Sequence, residues 1–231
     1  MIKRLLIILT LLLTAAIFAR VVLNYSEHGE LTKLAQRYAG QGPAELGAPN
    51  LVTAVVVTYR GLDTLGEVTV LFISAAGVGL MLRRRPQAPA PEDIRKPASE
   101  IVVTAAELLL PIIFLFGVYV FVNGHLSPGG GFQGGAIIAA GSLLLLLALP
   151  AAEMRKRLIG VTESLSGFGY VVVGVLGVVL AGGFLDNRIM SLGTYGTLFS
   201  AGAIPIIYTL VGLKVGSELS AVLDRFRETG D

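Results

Sequence analysis

The sequence predicts an all-α integral membrane protein with about six transmembrane helices, one short broken helix, and both termini in the cytoplasm. Three observations lead there. Of the 231 residues, 54% are hydrophobic and only 15% are charged, whereas a soluble domain carries about 25% charged residues. The apolar residues fall in blocks near the length that crosses a bilayer, about 20 residues each. Lysine and arginine are distributed unevenly between alternate loops, which sets orientation. With both termini inside, the inner loops hold Lys3, Arg4, Arg83, Arg84, Arg85, Arg95, Lys96, Arg155, Lys156, Arg157, Arg225 and Arg227. The outer loops hold only Lys33, Arg37 and Arg188. A net charge of +2 is therefore loop charge, not a nucleic-acid patch. Cysteine is absent, which excludes a disulfide scaffold, a cysteine-held iron–sulfur cluster and thiol redox chemistry. His28 and His125 are too few for a haem-rich subunit.

Lys3 and Arg4 precede the first apolar run, Leu5–Leu23. The positive start and the Ala-Ile-Phe-Ala before Arg20 also fit a signal peptide, but the run is long for one, which favours a retained helix. Asn24–Gly47 is a polar loop in which Leu31–Tyr38 can form a short surface helix. Asn50–Thr58 is apolar but too short to span. Arg60-Gly61 interrupts it, and Asp63-Thr64 is placed to cap a new helix running to Leu82. Residues 83–99, with Pro86, Pro89, Pro91 and Pro97, lack the apolar content to pack and read as a linker. Glu100–Val122 is the third span. Gly135–Leu149, Val161–Gly182 and Leu198–Leu219 are the fourth, fifth and sixth. The tail Ala221–Asp231 is polar.

Between the third and fourth spans lies NGHLSPGGGFQGG, Asn123–Gly135. Gly129-Gly130-Gly131-Phe132-Gln133-Gly134 satisfies G-x-G-x-x-G, but both flanks are apolar and span-length, so there is no βαβ context for a dinucleotide site. No Lys-Ser/Thr pair follows, which excludes a P-loop. Pro128 ends one helix and biases Ser127 out of the helical region. Consecutive glycines permit left-handed backbone and close approach. Gly131 and Gly135, four apart, form a small-xxx-small face for tight helix contact.

GHLSPGGGFQGG followed by an apolar helix resembles the MnhB family, the B subunit of Mrp-type multisubunit Na+/H+ antiporters, a domain also found in membrane-bound hydrogenases and related respiratory complexes. Residues 100–231 resemble it over nearly their full length, as a four-span domain. NLVTAVVVTYRGLDTLGE, within Glu45–Leu82, resembles the C-terminal segment of the Mrp A subunit and the separate E-type subunit of membrane-bound hydrogenases. Residues 1–82 thus read as an E-type domain of two spans plus a short helix, joined to the MnhB-type domain by residues 83–99. The resemblance implies a multi-pass protein of the cytoplasmic membrane. It also implies partners of the A/D, C, F and G types, Na+ and H+ as transported ions, no cofactor, and no enzymatic activity of this chain alone.

A charge inside a bilayer costs at least about 2.5–3.5 kcal/mol, so each one needs a reason. Glu67 follows Asp63 by four residues on one helical face near Arg60, which suits either a boundary ion cluster or an ion path. The resemblance favours the path, because the acid of DTLGE matches one implicated in cation transport. Glu107 precedes Pro111 by four, so its carbonyl loses its helical donor, and carbonyl and carboxylate offer oxygen ligands to Na+ or a hydrated proton path. Lys214 calls for a carboxylate partner, expected to be Glu107, or else titrates in a proton path. Glu163 lies near the start of its helix and suits water. His125 reads as a loop histidine holding a turn or relaying protons. No spacing suggests a zinc or iron site, nor a nucleophile with its base. Two functions follow: a subunit helping to form a Na+ path, or a structural adaptor joining redox and antiporter modules. An autonomous transporter is disfavoured by the lack of an inverted repeat.

Overall fold

The computed structural model describes residues 2–25, 29–82, 98–150 and 152–229. His28 and most of the expected linker, including Ala88, lie outside them. The described residues form helices and loops, and six helices are long and apolar enough to cross a membrane. Two compact units result, residues 1–37 and 38–231.

The first unit is dominated by α1 (Ile2–Leu23), apolar and exposed all round. The hydroxyls of Thr10 and Thr14 donate to the carbonyls of Leu6 and Thr10, both at 2.9 Å. This back-bonding leaves no hydroxyl bare on an apolar helix.

The expected polar loop, which falls partly in each unit, is more helical than the sequence suggested. Helix α2 (Lys33–Leu46) runs through Pro43 instead of ending near Tyr38. Tertiary contacts outweigh the glycine and proline signals: Tyr38 stacks on Tyr59 at 4.7 Å, and the Tyr59 hydroxyl donates to Glu45. Next comes a single turn, α3 (Leu51–Thr53), capped by Asn50, whose side-chain oxygen accepts from the backbone N–H groups of Val52 and Thr53. It widens into a π-helical turn over Ala54–Tyr59, and α4 (Gly61–Met81) begins after Arg60. The cap expected at Asp63-Thr64 is not formed. Asp63 sits in the first turn, ion-paired with Arg60, and the Thr64 hydroxyl donates to the Val56 carbonyl at 2.6 Å. The first turn of α4 is thus tied back to a carbonyl of the π-helical turn.

Helices α5 (Glu100–Val122), α6 (Gly131–Ala148), α7 (Lys156–Ala181) and α8 (Ile204–Thr229) complete the second unit. α8 packs against α4, α5, α6 and α7, and α5 packs against α6. The core is centred on α8, whose Ile204, Ile207, Tyr208, Val211 and Val215 are buried with Val57, Tyr170 and Leu185. α8 starts later than the expected Leu198 and absorbs most of the expected polar tail. Its end is anchored by Arg227, which pairs with Asp224 at 2.8 Å and donates to the Ala152 carbonyl at 2.5 Å.

Close approach depends on glycine. A Cβ on Gly131 would lie 2.6 Å from Val211 Cβ, and one on Gly135 would lie 2.7 Å from Val215 Cβ. The small-xxx-small face read from the sequence is therefore the α6 surface that meets α8. Gly134 points the other way, where its Cβ would lie 2.5 Å from the Gly117 carbonyl oxygen of α5.

Candidate functional site

Three groupings of polar residues are built on this frame. The first joins the broken helix to the glycine-rich loop. The Asn50 side-chain amide donates to the carbonyls of Gly124 at 2.8 Å and Ser127 at 2.9 Å. The Thr53 hydroxyl donates to the Gly124 carbonyl at 2.6 Å and accepts from the Tyr208 hydroxyl at 3.0 Å. The Asn50 backbone N–H donates to the His125 carbonyl at 3.0 Å. One asparagine thus caps α3 and donates to two carbonyls of the loop, sharing that of Gly124 with Thr53. Pro128 is exposed, while Gly130 closes the loop at φ 152° as the N-cap of α6. Phe132 packs against the main core.

His125, read from the sequence as a loop histidine, is fully buried. Its Nε2 donates to the Thr197 carbonyl at 3.3 Å. Burial pushes the imidazole below its ordinary 6.5, against the pull of nearby backbone carbonyls, Thr197 first among them. The side chain fastens the glycine-rich loop to the loop before α8. A buried amide, Asn187, works in parallel, donating to the carbonyls of Leu46 and Ala201, both at 2.8 Å. Beside it, the Arg188 guanidinium hydrogen-bonds Asp186 and holds that carboxyl below its usual range.

The second grouping is charged and lies inside the bundle. Lys214 on α8 donates to Glu163 of α7 at 3.2 Å and to Glu218 one turn further along α8. The Phe72 ring of α4 lies 4.7 Å from its ammonium. The pairing of Lys214 with Glu107 expected from the sequence is not formed. Glu107 is exposed on α5, turned away from the helix contacts that enclose Lys214. Glu163, expected to face water, is instead a partner of the lysine. Glu218 was not among the expected site residues, although its i,i+4 spacing from Lys214 is the helical ion-pair signal.

The third grouping is exposed. Asp63 and Glu67 lie on the surface of α4, and Glu107 and Pro111 on that of α5. The structure keeps Asp63 and Glu67 on one α4 face, as their spacing requires, but does not join them to Lys214. Among the described residues, no cluster of three or more histidine, cysteine, aspartate or glutamate side chains is arranged to hold a metal ion.

Known proteins share this architecture. A chain of the membrane-bound sulfane sulfur reductase, an archaeal respiratory membrane complex, superposes with a TM-score of 0.82 at 43% identity, covering 98% of each chain. A chain of the Mrp complex from Dietzia sp. DQ12-45-1b superposes with a TM-score of 0.78 at 28% identity; the match covers 96% of this protein but only 26% of that longer chain. An uncharacterized protein of Methanocaldococcus jannaschii is 32% identical over 197 residues, 74% of each chain. A family model for the E-type component of MBH matches residues 2–100. The model of the domain related to the MnhB subunit of Na+/H+ antiporters matches residues 101–221, over half the chain, and the protein belongs to that family.

Proposed function

We propose that this chain is a membrane subunit of a multisubunit cation/proton antiport module, set in an Mrp-type antiporter or a hydrogenase-like respiratory complex of the cytoplasmic membrane. It helps to line the Na+ path, and its partners are membrane subunits of the A/D, C, F and G types. The redox or transport chemistry that drives the path belongs to those partners, and no catalytic step is assigned to this chain alone.

The observation that carries the reading is the exposure of Asp63, Glu67 and Glu107 on helices long enough to span. Hydrocarbon does not solvate a carboxylate, and intramembrane acids face a protein interior or a hydrated path. The faces of α4 and α5 that bear them therefore need another subunit or water against them. Likeness to chains of two different membrane complexes supports the same assignment.

The test is Na+-dependent transport in vesicles containing the assembled complex. Glu67→Gln and Glu107→Gln are each expected to lower transport roughly tenfold or more while the complex still migrates intact on native gels; a tenfold change corresponds to only about 1.4 kcal/mol in a barrier. Normal transport by both assembled variants would leave the structural-adaptor reading in place.

A further inference from the structure

The Glu163, Lys214 and Glu218 cluster holds an unbalanced charge. Glu218 is 1% exposed and Lys214 is 7% exposed. One oxygen of Glu218 accepts from Lys214, and the other, Oε2, is buried without a hydrogen-bond partner. Two carboxylates face one ammonium, so full ionisation leaves one net negative charge where it is poorly solvated.

The surroundings offer little to offset it. α4 contributes the ring of Phe72 to the lysine, a neutral cation–π contact, and its acids Asp63 and Glu67 are exposed. α5 holds its ionisable Glu100, Glu107 and Tyr119 on exposed positions. α6 has no ionisable residue; its Ser142 hydroxyl accepts from Ser220 at 2.8 Å. On α7, Tyr170 donates to the Gly61 carbonyl at 3.3 Å. Further along α8, Asp224 pairs with Arg227, and Arg225 donates to the Ala75 carbonyl at 3.3 Å.

We propose that Glu163, Lys214 and Glu218 form a binding site for one exchangeable proton, entered at Glu163 and seated at Glu218. The Glu163 side chain is 24% exposed and that of Glu218 is 0% exposed, which gives the site a mouth and an inner end. A hydronium ion from the aqueous side gives its proton to a Glu163 oxygen and leaves as water. Lys214 then passes one N–H proton to Glu218 and takes the Glu163 proton in return. The ammonium is restored, one proton has moved inward, and only N–H and O–H bonds have exchanged. The proton lands on Oε1 of Glu218, which already accepts from Lys214, and the buried, unpartnered Oε2 then carries no ionic charge. The site stands independently of the ion path proposed for α4 and α5, because its occupancy is read by spectroscopy without transport.

Infrared difference spectroscopy of the assembled complex in vesicles, titrated with pH, tests it. A carboxylic-acid C=O band is expected at neutral pH in the native complex and absent from Glu218→Gln. Glu163→Gln, whose side chain is nearer the surface, should remove or shift the same band and serves if Glu218→Gln does not assemble. Lys214→Met should carry the band to higher pH, because removing the ammonium leaves the carboxylates holding protons more tightly. Lys214→Arg keeps the charge and should shift the band by changing its hydrogen bond. An unchanged carboxylic-acid region in whichever of these variants assemble would overturn the proposal. So would loss of the native band when Na+ replaces choline at constant pH, which would make a sodium ion the occupant.

Discussion

Gly135 shows how tightly single positions are held. An added methyl there would meet Val215 Cβ at 2.7 Å, the Gly212 carbonyl oxygen at 2.8 Å and the Gly216 nitrogen at 2.9 Å. Two of these are backbone atoms and cannot rotate aside. Gly135→Ala is therefore expected to destabilise the bundle by about 1–3 kcal/mol, the usual cost of overpacking, seen as a lower thermal midpoint of the purified complex. Gly160→Ala, with open space around it, should be neutral or stabilising by up to about 1 kcal/mol through helix propensity. His125 makes a pH prediction. Its folded-state pKa lies below the ordinary 6.5, so an unfolded chain binds the proton first as pH falls. The contribution is complete above the unfolded value and is lost as pH drops below it toward the folded one. Thermal scans across that window should show a steeper loss of stability in the native protein than in His125→Gln. The Gly131 and Gly135 spacing was readable because helical period fixes which residues share a face. The burial of His125 was not, because its enclosure comes from Thr197 and Asn50, more than seventy residues away in each direction.

Among the elements, the broken helix is the one whose purpose changes most on seeing its neighbours. From the sequence, Asn50–Thr58 is merely apolar and short. In the structure, Asn50 and Thr53 bind the glycine-rich loop, and Tyr208 of α8 reaches the same hydroxyl. Thr53→Val retains shape but removes the hydroxyl, leaving the Tyr208 hydroxyl without its acceptor and the Gly124 carbonyl with Asn50 alone. The expected cost is about 1–3 kcal/mol, and protease protection of the Asn123–Gly130 loop is the readout. A Thr53→Ser variant should restore most of the protection. Helix α8 teaches a related lesson. Its Lys214–Glu218 pair lies within one period of one helix, yet the partner expected for Lys214 was Glu107. The identity of the second carboxylate depended on which helix packs alongside, which apolar spans of similar composition do not encode locally.

At the scale of the whole molecule, class was legible because bilayer thickness dictates span length and composition. The arrangement of the spans around α8 was not, since it rests on glycine-mediated contacts between distant segments. Orientation remains a matter of charge, and it makes a direct prediction. A cysteine replacing Ser191 should react with an impermeant thiol reagent from outside intact cells, and one replacing Ala88 only after access to the inside is given. The reverse pattern would invert the topology argued from lysine and arginine. The span-borne acids predict obligate assembly as well: expressed without its partners, the chain should be recovered poorly or as aggregates, and a monodisperse, transporting protein from this gene alone would contradict it.

The central place of α8 also bears on how the protein is made. Synthesis proceeds from the N-terminus, so α4, α5, α6 and α7 leave the ribosome before the helix they all pack against. Until α8 arrives, Gly131 and Gly135 have no opposing surface, Glu163 has no lysine, and Thr53 has no tyrosine. Spans waiting in that condition are clients for an insertase or a membrane chaperone, and substrates for quality-control proteases. A stop codon placed just before Ile204 should therefore yield a rapidly degraded membrane product, with pulse-chase lifetimes far shorter than those of the full chain, even though every earlier span is present.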